Sequence, residues 1–412
     1  MGRIGGLTSI FAACVAAASS VFNAAMAEDG VGQITSFDPR WFANARLRYE
    51  GVEDDNFELR SDALTIRLRA GFESAFSRNT RILTEFEAIG AFVDNFDDAV
   101  GGSENRPVIA DAEIAELNRF QLSTSEIPQT EVIFGRQRIV LDDERFVGRV
   151  AFRQNEQTYD AVRATTEAIG PFIVDVAYVR RVNRILSRRS DVGRFRGDSY
   201  LVNVSVPTPV GQLTGFHYAL DLETGDGPTL TNANSSRTTG VRLAGRRHWD
   251  EISLHWEGSY ATQSDFADAP IDYSAEYWVA GIRVDAGPVF AGFRTETLGS
   301  GNVGFQTPVG TLHRFQGAAD VFLVTPPDGI VDRTVSLGWR IGEFGAVKGV
   351  LLSARHHWFR ADAGTAFFGE ETDIRLAAKL KGTTTSIEFA DYRADAFAED
   401  VSRIWFTLER SF

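Results

Sequence analysis

Ile404-Trp405-Phe406-Thr407-Leu408-Glu409-Arg410-Ser411-Phe412 ends the chain. Read with period two, Ile404, Phe406, Leu408 and Phe412 share one face, and Arg403, Trp405, Thr407, Glu409 and Ser411 share the other. Such alternation marks a β-strand with one apolar and one polar side. Arg410 is the charged exception on the apolar face, at a chain end where a long side chain can snorkel to an interface. The same pattern recurs upstream. Ala43, Ala45, Leu47 and Tyr49 oppose Asn44, Arg46, Arg48 and Glu50, and Leu64, Ile66, Leu68, Ala70 and Phe72 oppose Thr65, Arg67, Arg69, Gly71 and Glu73. Runs starting at Phe172, Tyr200, Ile252 and Ile374 repeat it. Each lasts about ten residues, the length a tilted strand needs to cross a bilayer; strands of soluble domains are typically about five to six.

No segment offers the roughly 18 consecutive apolar residues of a spanning helix. A chain of 412 residues would otherwise suggest several soluble domains, yet no Pro/Gly/Ser linker divides it. We therefore expect an all-β fold, a single transmembrane antiparallel β-barrel over residues 28–412. Its apolar face meets acyl chains, its polar face lines the lumen, and closure satisfies every backbone hydrogen bond. Connections alternate in length. Ser77-Arg78-Asn79, Glu126-Ile127-Pro128-Gln129, Pro207-Thr208-Pro209 and Ala286-Gly287-Pro288 are tight; residues 52–62, 94–111, 139–155 and 224–237 are long. Gly317-Ala318-Ala319-Asp320 breaks the alternation, so 299–330 reads as one very long outer loop rather than a strand. The count is then about 18 strands, with the weakest pattern at 113–123 and both termini in the periplasm.

Residues 1–27 read as a signal peptide: Arg3, an alanine-rich apolar stretch, and Ala25-Met26-Ala27 before Glu28. The alternative, lipoprotein cleavage before Cys14, fits poorly because Phe11 stands at the third position upstream. Cys14 is the only cysteine, so the mature chain would carry none, and thiolate metal sites, disulfides and cysteine nucleophiles are excluded together. The closing strand resembles that of bacterial outer-membrane barrels, whose terminal aromatic residue is read by the assembly machinery. Phe412 is the expected contact here, and the Gram-negative outer membrane the expected location.

The net charge is −14, and one unit more negative once Arg3 leaves. Its sign identifies no substrate. More telling, only Lys348, Lys379 and Lys381 of the 42 basic residues are lysines. A GC-rich genome accounts for the choice of arginine but not for its placement. Strand parity puts Arg46, Arg48, Arg67, Arg69 and Arg81 on the lumen face, with Arg340, Arg355, Arg375 and Arg403. Guanidinium is always charged and pairs with carboxylates through two parallel bonds. Rings of such groups favour anions in a pore. Against this, Glu73, Glu85, Glu87, Glu251, Glu257, Asp373, Glu388 and Glu409 share that face, and the pairs would then only brace the wall. Residues 136–153 carry Arg136, Arg138 and Arg153 with Asp142-Asp143-Glu144; this segment either folds inward and narrows the pore or stays at the surface with internal ion pairs.

Two stretches carry a family likeness. One is Phe134-Gly135-Arg136-Gln137-Arg138-Ile139, continuing through Leu141-Asp142-Asp143-Glu144-Arg145-Phe146-Val147-Gly148 to Phe152-Arg153-Gln154-Asn155-Glu156-Gln157-Thr158-Tyr159-Asp160-Ala161. The other joins Phe305-Gln306-Thr307-Pro308, Leu312-His313-Arg314-Phe315-Gln316-Gly317-Ala318-Ala319-Asp320 and Thr325-Pro326-Pro327-Asp328-Gly329. Together they resemble the alginate export family of outer-membrane proteins. The resemblance implies an eighteen-stranded monomeric barrel with a narrow, arginine-rich lumen that passes a polyanionic uronate polymer. The family usually has Trp after Gly317 and Lys after Asp320; here Ala318 and Val321 stand there.

The expected function is thus an outer-membrane channel for an anionic polysaccharide or oligosaccharide. Its substrate-binding residues would be Arg46, Arg48, Arg67, Arg69, Arg81, Arg136, Arg138, Arg153, Arg340, Arg355, Arg375 and Arg403. A general anion-leaning porin for small nutrients is the alternative. Expected partners are outer-membrane lipid, the assembly machinery, the saccharide and a periplasmic delivery complex, with no nucleic acid. No catalytic residue, cofactor or metal is expected. The six histidines are scattered, His356 and His357 point to opposite faces, no nucleophile elbow occurs, and no EF-hand spacing accompanies Glu53-Asp54-Asp55.

Overall fold

The computed structural model describes residues 39–101, 105–225 and 230–412. The expected signal peptide, with Cys14, lies outside them. Eighteen strands form one antiparallel sheet that closes on itself, since β1 (Arg40–Asp54) pairs with both β2 (Ser61–Ala75) and β18 (Val401–Ser411). Between them run β3 (Thr80–Asn95), β4 (Ile114–Thr124), β5 (Thr130–Gln137), β6 (Thr158–Ile169), β7 (Phe172–Asn183), β8 (Arg194–Thr208) and β9 (Gly211–Leu220). The far wall is β10 (Ser236–Trp249), β11 (Ile252–Asp265), β12 (Ser274–Ala286), β13 (Val289–Leu298), β14 (Ile330–Phe344), β15 (Val347–Arg360), β16 (Phe367–Leu380) and β17 (Thr383–Ala394). Every strand pairs with its sequence neighbours.

The weak 113–123 pattern is a strand, β4. The segment around Gly317 is not, and holds a single 3-10 turn, Leu312–Arg314. Strands outrun the apolar alternation by a few residues at the long-loop end, where no lipid imposes it; β16 begins at Phe367, ahead of the run that starts at Ile374.

Alternation sorts side chains as the period predicts. Ile282, Val284, Leu337, Leu352, Ile374, Leu376, Ile387 and Ile404 form an exposed apolar band around the outer wall. Trp41, Trp249, Trp339 and Phe412 lie outside toward the short turns, with Tyr260, Trp278 and Trp358 toward the long loops. This is the aromatic flanking expected at two membrane interfaces. The buried apolar cluster is inside the barrel, where Phe146, Phe305 and Phe322 from long loops meet inward residues such as Phe216, Tyr218, Tyr277, Phe359 and Tyr392.

Candidate functional site

Two long loops enter the barrel and join. Residues 138–157 lack regular structure, so their buried backbone groups need partners from elsewhere. The wall supplies them. Arg46 donates to the carbonyls of Ala151 (3.0 Å) and Phe152 (3.1 Å), Arg48 to Phe152 (2.6 Å) and Arg69 to Gln154 (3.2 Å). Gln154 returns an amide bond to Thr65 Oγ1 (2.9 Å), and Arg48 lies 4.3 Å over the Phe152 ring. Asp142, Glu144 and Val150 adopt positive φ of 51°, 69° and 51°. In Val150 this is costly for a β-branched residue and is held by its N–H bond to Thr311 Oγ1 on the second loop at 3.1 Å.

Residues 299–329 dock against the first loop. Val147 and Val309 form a parallel bridge, and Gly148 N–H donates to Val309 O at 3.0 Å. Buried Arg145 ties the pair to the wall, donating to Glu296 (2.9 Å), Thr307 (3.1 Å) and Gln316 (2.8 Å). Farther along, Ala319 N–H donates to Glu371 on β16 at 2.8 Å, and His313 stacks on Phe152 at 3.5 Å while bonding Asp320 at 2.8 Å. The inward alternative for residues 136–153 is thus the one seen. The 299–330 segment, read as an outer loop, dips into the barrel, with Phe305, Val309 and Ala319 fully buried.

The loop carboxyls in this network are strongly tuned. Burial alone would raise Glu156, but the guanidiniums of Arg69 and Arg138 outweigh it and hold the carboxyl at about 2. Burial likewise opposes ionisation of Asp320, yet His313, Arg153 and Arg403 keep it well below the usual carboxylate range. Groups depressed in the folded state add stability above their unfolded pKa and lose it as pH falls through the folded one. The loops should therefore stay docked at neutral pH and loosen as pH drops from about 4.5 toward about 2. Open-channel current noise against pH checks this; flat noise across that window would contradict it.

The twelve candidate arginines divide into two groups. Under the loops, Arg46 and Arg67 share Glu409 (both 2.9 Å). Arg69 pairs with Glu87 and Glu156, Arg138 with Glu85 and Glu156, Arg153 with Glu50 and Asp320, and Arg403 with Glu50. Arg48 bonds Thr407 Oγ1 and a carbonyl. Arg136 sits at the end of β5 on Asp160 (2.7 Å). The remainder stand on open wall with exposed side chains: Arg81 (70%), Arg340 (45%), Arg375 (43%) and Arg355 (37%), each near one carboxylate.

Sequence reasoning missed Arg242, Arg246, Arg283 and Arg294. The parity rule that selected Arg46 also selects them, since each faces inward from β10, β12 or β13. Arg145 and Arg314 sit on loops, where alternation carries no signal. Arg242, Arg283, Arg294 and Arg314 line a cavity of about 480 Å³ between the loop tips and the wall.

Cross-strand register reveals a further order. From β10 to β18, directly opposed inward residues are Arg246, His255, Arg283, Gly292, Ser336, Arg355, Asp373, Ala390 and Arg403. Arg246 is near a short turn, whereas Arg403 is near a long loop. Barrel strands lean about 40° from the axis, so this line climbs the wall from one end to the other.

Comparison with known proteins places this architecture. No curated protein matches the chain. Solved outer-membrane porins share its fold. OpdO of Pseudomonas aeruginosa superposes with a TM-score of 0.70 at 14% identity, covering 91% of this chain and 97% of that one. OccK8 (OprE) of the same organism gives 0.68 at 12% identity, covering 91% and 98%. OpdK of Pseudomonas aeruginosa, solved with vanillate, gives 0.66 at 11% identity, covering 92% and 100%. The alginate export family model matches residues 39–280. An eighteen-stranded closed barrel with two loops folded into it and this match define an outer-membrane channel of a Gram-negative bacterium, not an enzyme; the chain belongs to the alginate export family.

Proposed function

We propose that the channel passes an anionic, uronate-like saccharide along the arginines of its open wall. The observation that carries this is the climbing line, on which Arg246, Arg283 and Arg355 stand open, with Arg340 and Arg375 beside it, and which ends at Arg403 under the loops. Most of these arginines already have a carboxylate neighbour. A guanidinium has five donors, and a single carboxylate engages two of them. What is left is weak attraction repeated along a path, which lets a polyanion slide where one strong site would trap it. In this reading the short turns and both termini face the periplasm, Phe412 contacts the assembly machinery, and a periplasmic complex delivers the cargo.

A second reading, a porin for small carboxylates, draws on the fold shared with OpdK, which was solved with vanillate. The zero-current potential across a planar bilayer under a salt gradient, repeated with oligo-uronate, separates them. Anion preference with oligo-uronate block supports the saccharide. Anion preference without block supports the small-carboxylate porin, and cation preference overturns both. Replacing Arg340, Arg355 and Arg375 together with Gln should lower the anion preference at least about twofold; an unchanged potential would remove these residues from the path.

A further inference from the structure

Beneath the joined loops, two cavities meet at one arginine. The larger, of about 480 Å³, sets the guanidiniums of Arg242, Arg283, Arg294 and Arg314 against the carboxylates of Asp143 and Glu257. The smaller, of about 360 Å³, has no cation besides Arg242; its polar lining is Asp142, Asp175, Asn203, Ser205, Gln212 and Thr214. Arg242 and Ala244 line both. Each volume is within the range of small-ligand pockets, about 300–1,000 Å³.

We infer that the cavities are two lobes of one subsite for a sugar acid, the carboxylate seated among the guanidiniums and the ring hydroxyls against the amide and hydroxyl lobe. This rests on the saccharide-channel reading and adds to it the place where the sugar ring is held. The chemistry of the lobes differs as such a ligand requires. Planar guanidinium forks match a carboxylate. A sugar hydroxyl both donates and accepts, and so needs acceptors and donors side by side. Asp142 and Asp175 accept, the amide of Gln212 does both, and Ser205 and Thr214 do both.

The second lobe is also held in shape. Tyr218 O–H donates to Asn203 Oδ1 at 2.8 Å, and Asn203 Nδ2 donates to Asp142 Oδ2 at 2.8 Å. Ser205 and Thr214 share a hydroxyl bond of 2.8 Å. Asp142 is fixed in the left-handed region, φ 51°, which aims its carboxylate at β8. The guanidinium of Arg242 is held at Nη2 by Glu257 (3.2 Å) and Asp143 (3.5 Å). A bare carboxylate would fill only the first lobe, and a neutral sugar only the second.

Block of ion current by glucuronate, acetate and glucose, compared in the same bilayer, tests this. The wild-type protein should be half-blocked by glucuronate at a concentration at least about tenfold below that of acetate, a difference of about 1.4 kcal/mol, with glucose weaker still. Asn203→Ala with Gln212→Ala should bring the glucuronate-to-acetate ratio close to one, while Arg242→Gln should weaken block by both acids. Because Asn203→Ala also removes a bond to the loop, Gln212→Ala alone is measured, and at least part of the preference should go with it. Equal block by glucuronate and acetate in the wild type would overturn the two-lobed subsite and leave the anion channel standing. Failure of both acids to block, with no anion preference, would overturn that reading itself.

Discussion

Replacing Arg145 with methionine is expected to uncouple the two lumen loops and produce a noisier, more conductive channel. Arg145 is 1% exposed and its partner Glu296 0%. Its guanidinium reaches Glu296 on the wall, Thr307 and Gln316 on the second loop, and lies 4.7 Å over the Phe315 ring. One side chain therefore joins both loops to β13. Removing one partner of a buried ion pair costs about 3–5 kcal/mol because the other charge is left without compensation. Here Glu296 keeps Arg294 (2.9 Å) and Tyr277 (2.7 Å), so the lower end, about 3 kcal/mol, is the better expectation. The barrel itself should persist, since its backbone ladder does not pass through Arg145. Single-channel recording and protease cleavage within 299–329 both read the change. Conductance, noise and cleavage all equal to wild type would show that the loops hold without this residue.

Gly317→Ala should release the other end of the same loop. Gly317 has φ +82°, and an added Cβ would collide with the carboxyl end of Glu371, so that buried side chain or the loop strip must shift. The left-handed backbone costs a residue with a Cβ about 1–2 kcal/mol. Either shift also breaks the bond from Ala319 N–H to the Glu371 carboxyl, for which about 0.5–1.5 kcal/mol is typical. Gly364→Ala is the matched comparison: its φ of +89° imposes the same backbone strain, but nothing lies within 4 Å of the added carbon. Gly317→Ala should raise conductance and protease sensitivity well beyond Gly364→Ala. Equal effects would mean that the contact with β16 does not hold the loop.

Parity alone made the barrel legible. Each strand needs only its own alternation to declare which face meets lipid, because the bilayer acts on every residue of the outer surface alike. Hence the order of strands, the alternating long and short connections and the non-strand around Gly317 could all be read from local pattern. The same rule, applied to every strand, reaches Arg242, Arg283 and Arg294 as readily as Arg46. What parity cannot say is what lies over an inward residue. Arg48, Arg67 and Arg69 face inward as alternation requires, yet the loops cover them, and Arg48 and Arg69 donate to loop carbonyls. Reading them as a bare anion ring misses this second role.

The chain by itself thus determined a closed β-barrel, its lipid face and a lumen wall rich in arginine, since each follows from period-two alternation and strand length. Only the tertiary structure decided which arginines stay open to the lumen and which are spent bracing loops. That choice depends on partners far apart in sequence, such as Arg46 with Ala151, Arg145 with Gln316 and Ala319 with Glu371. Such pairs have no period, and an irregular loop in a lumen folds wherever its backbone groups find donors and acceptors.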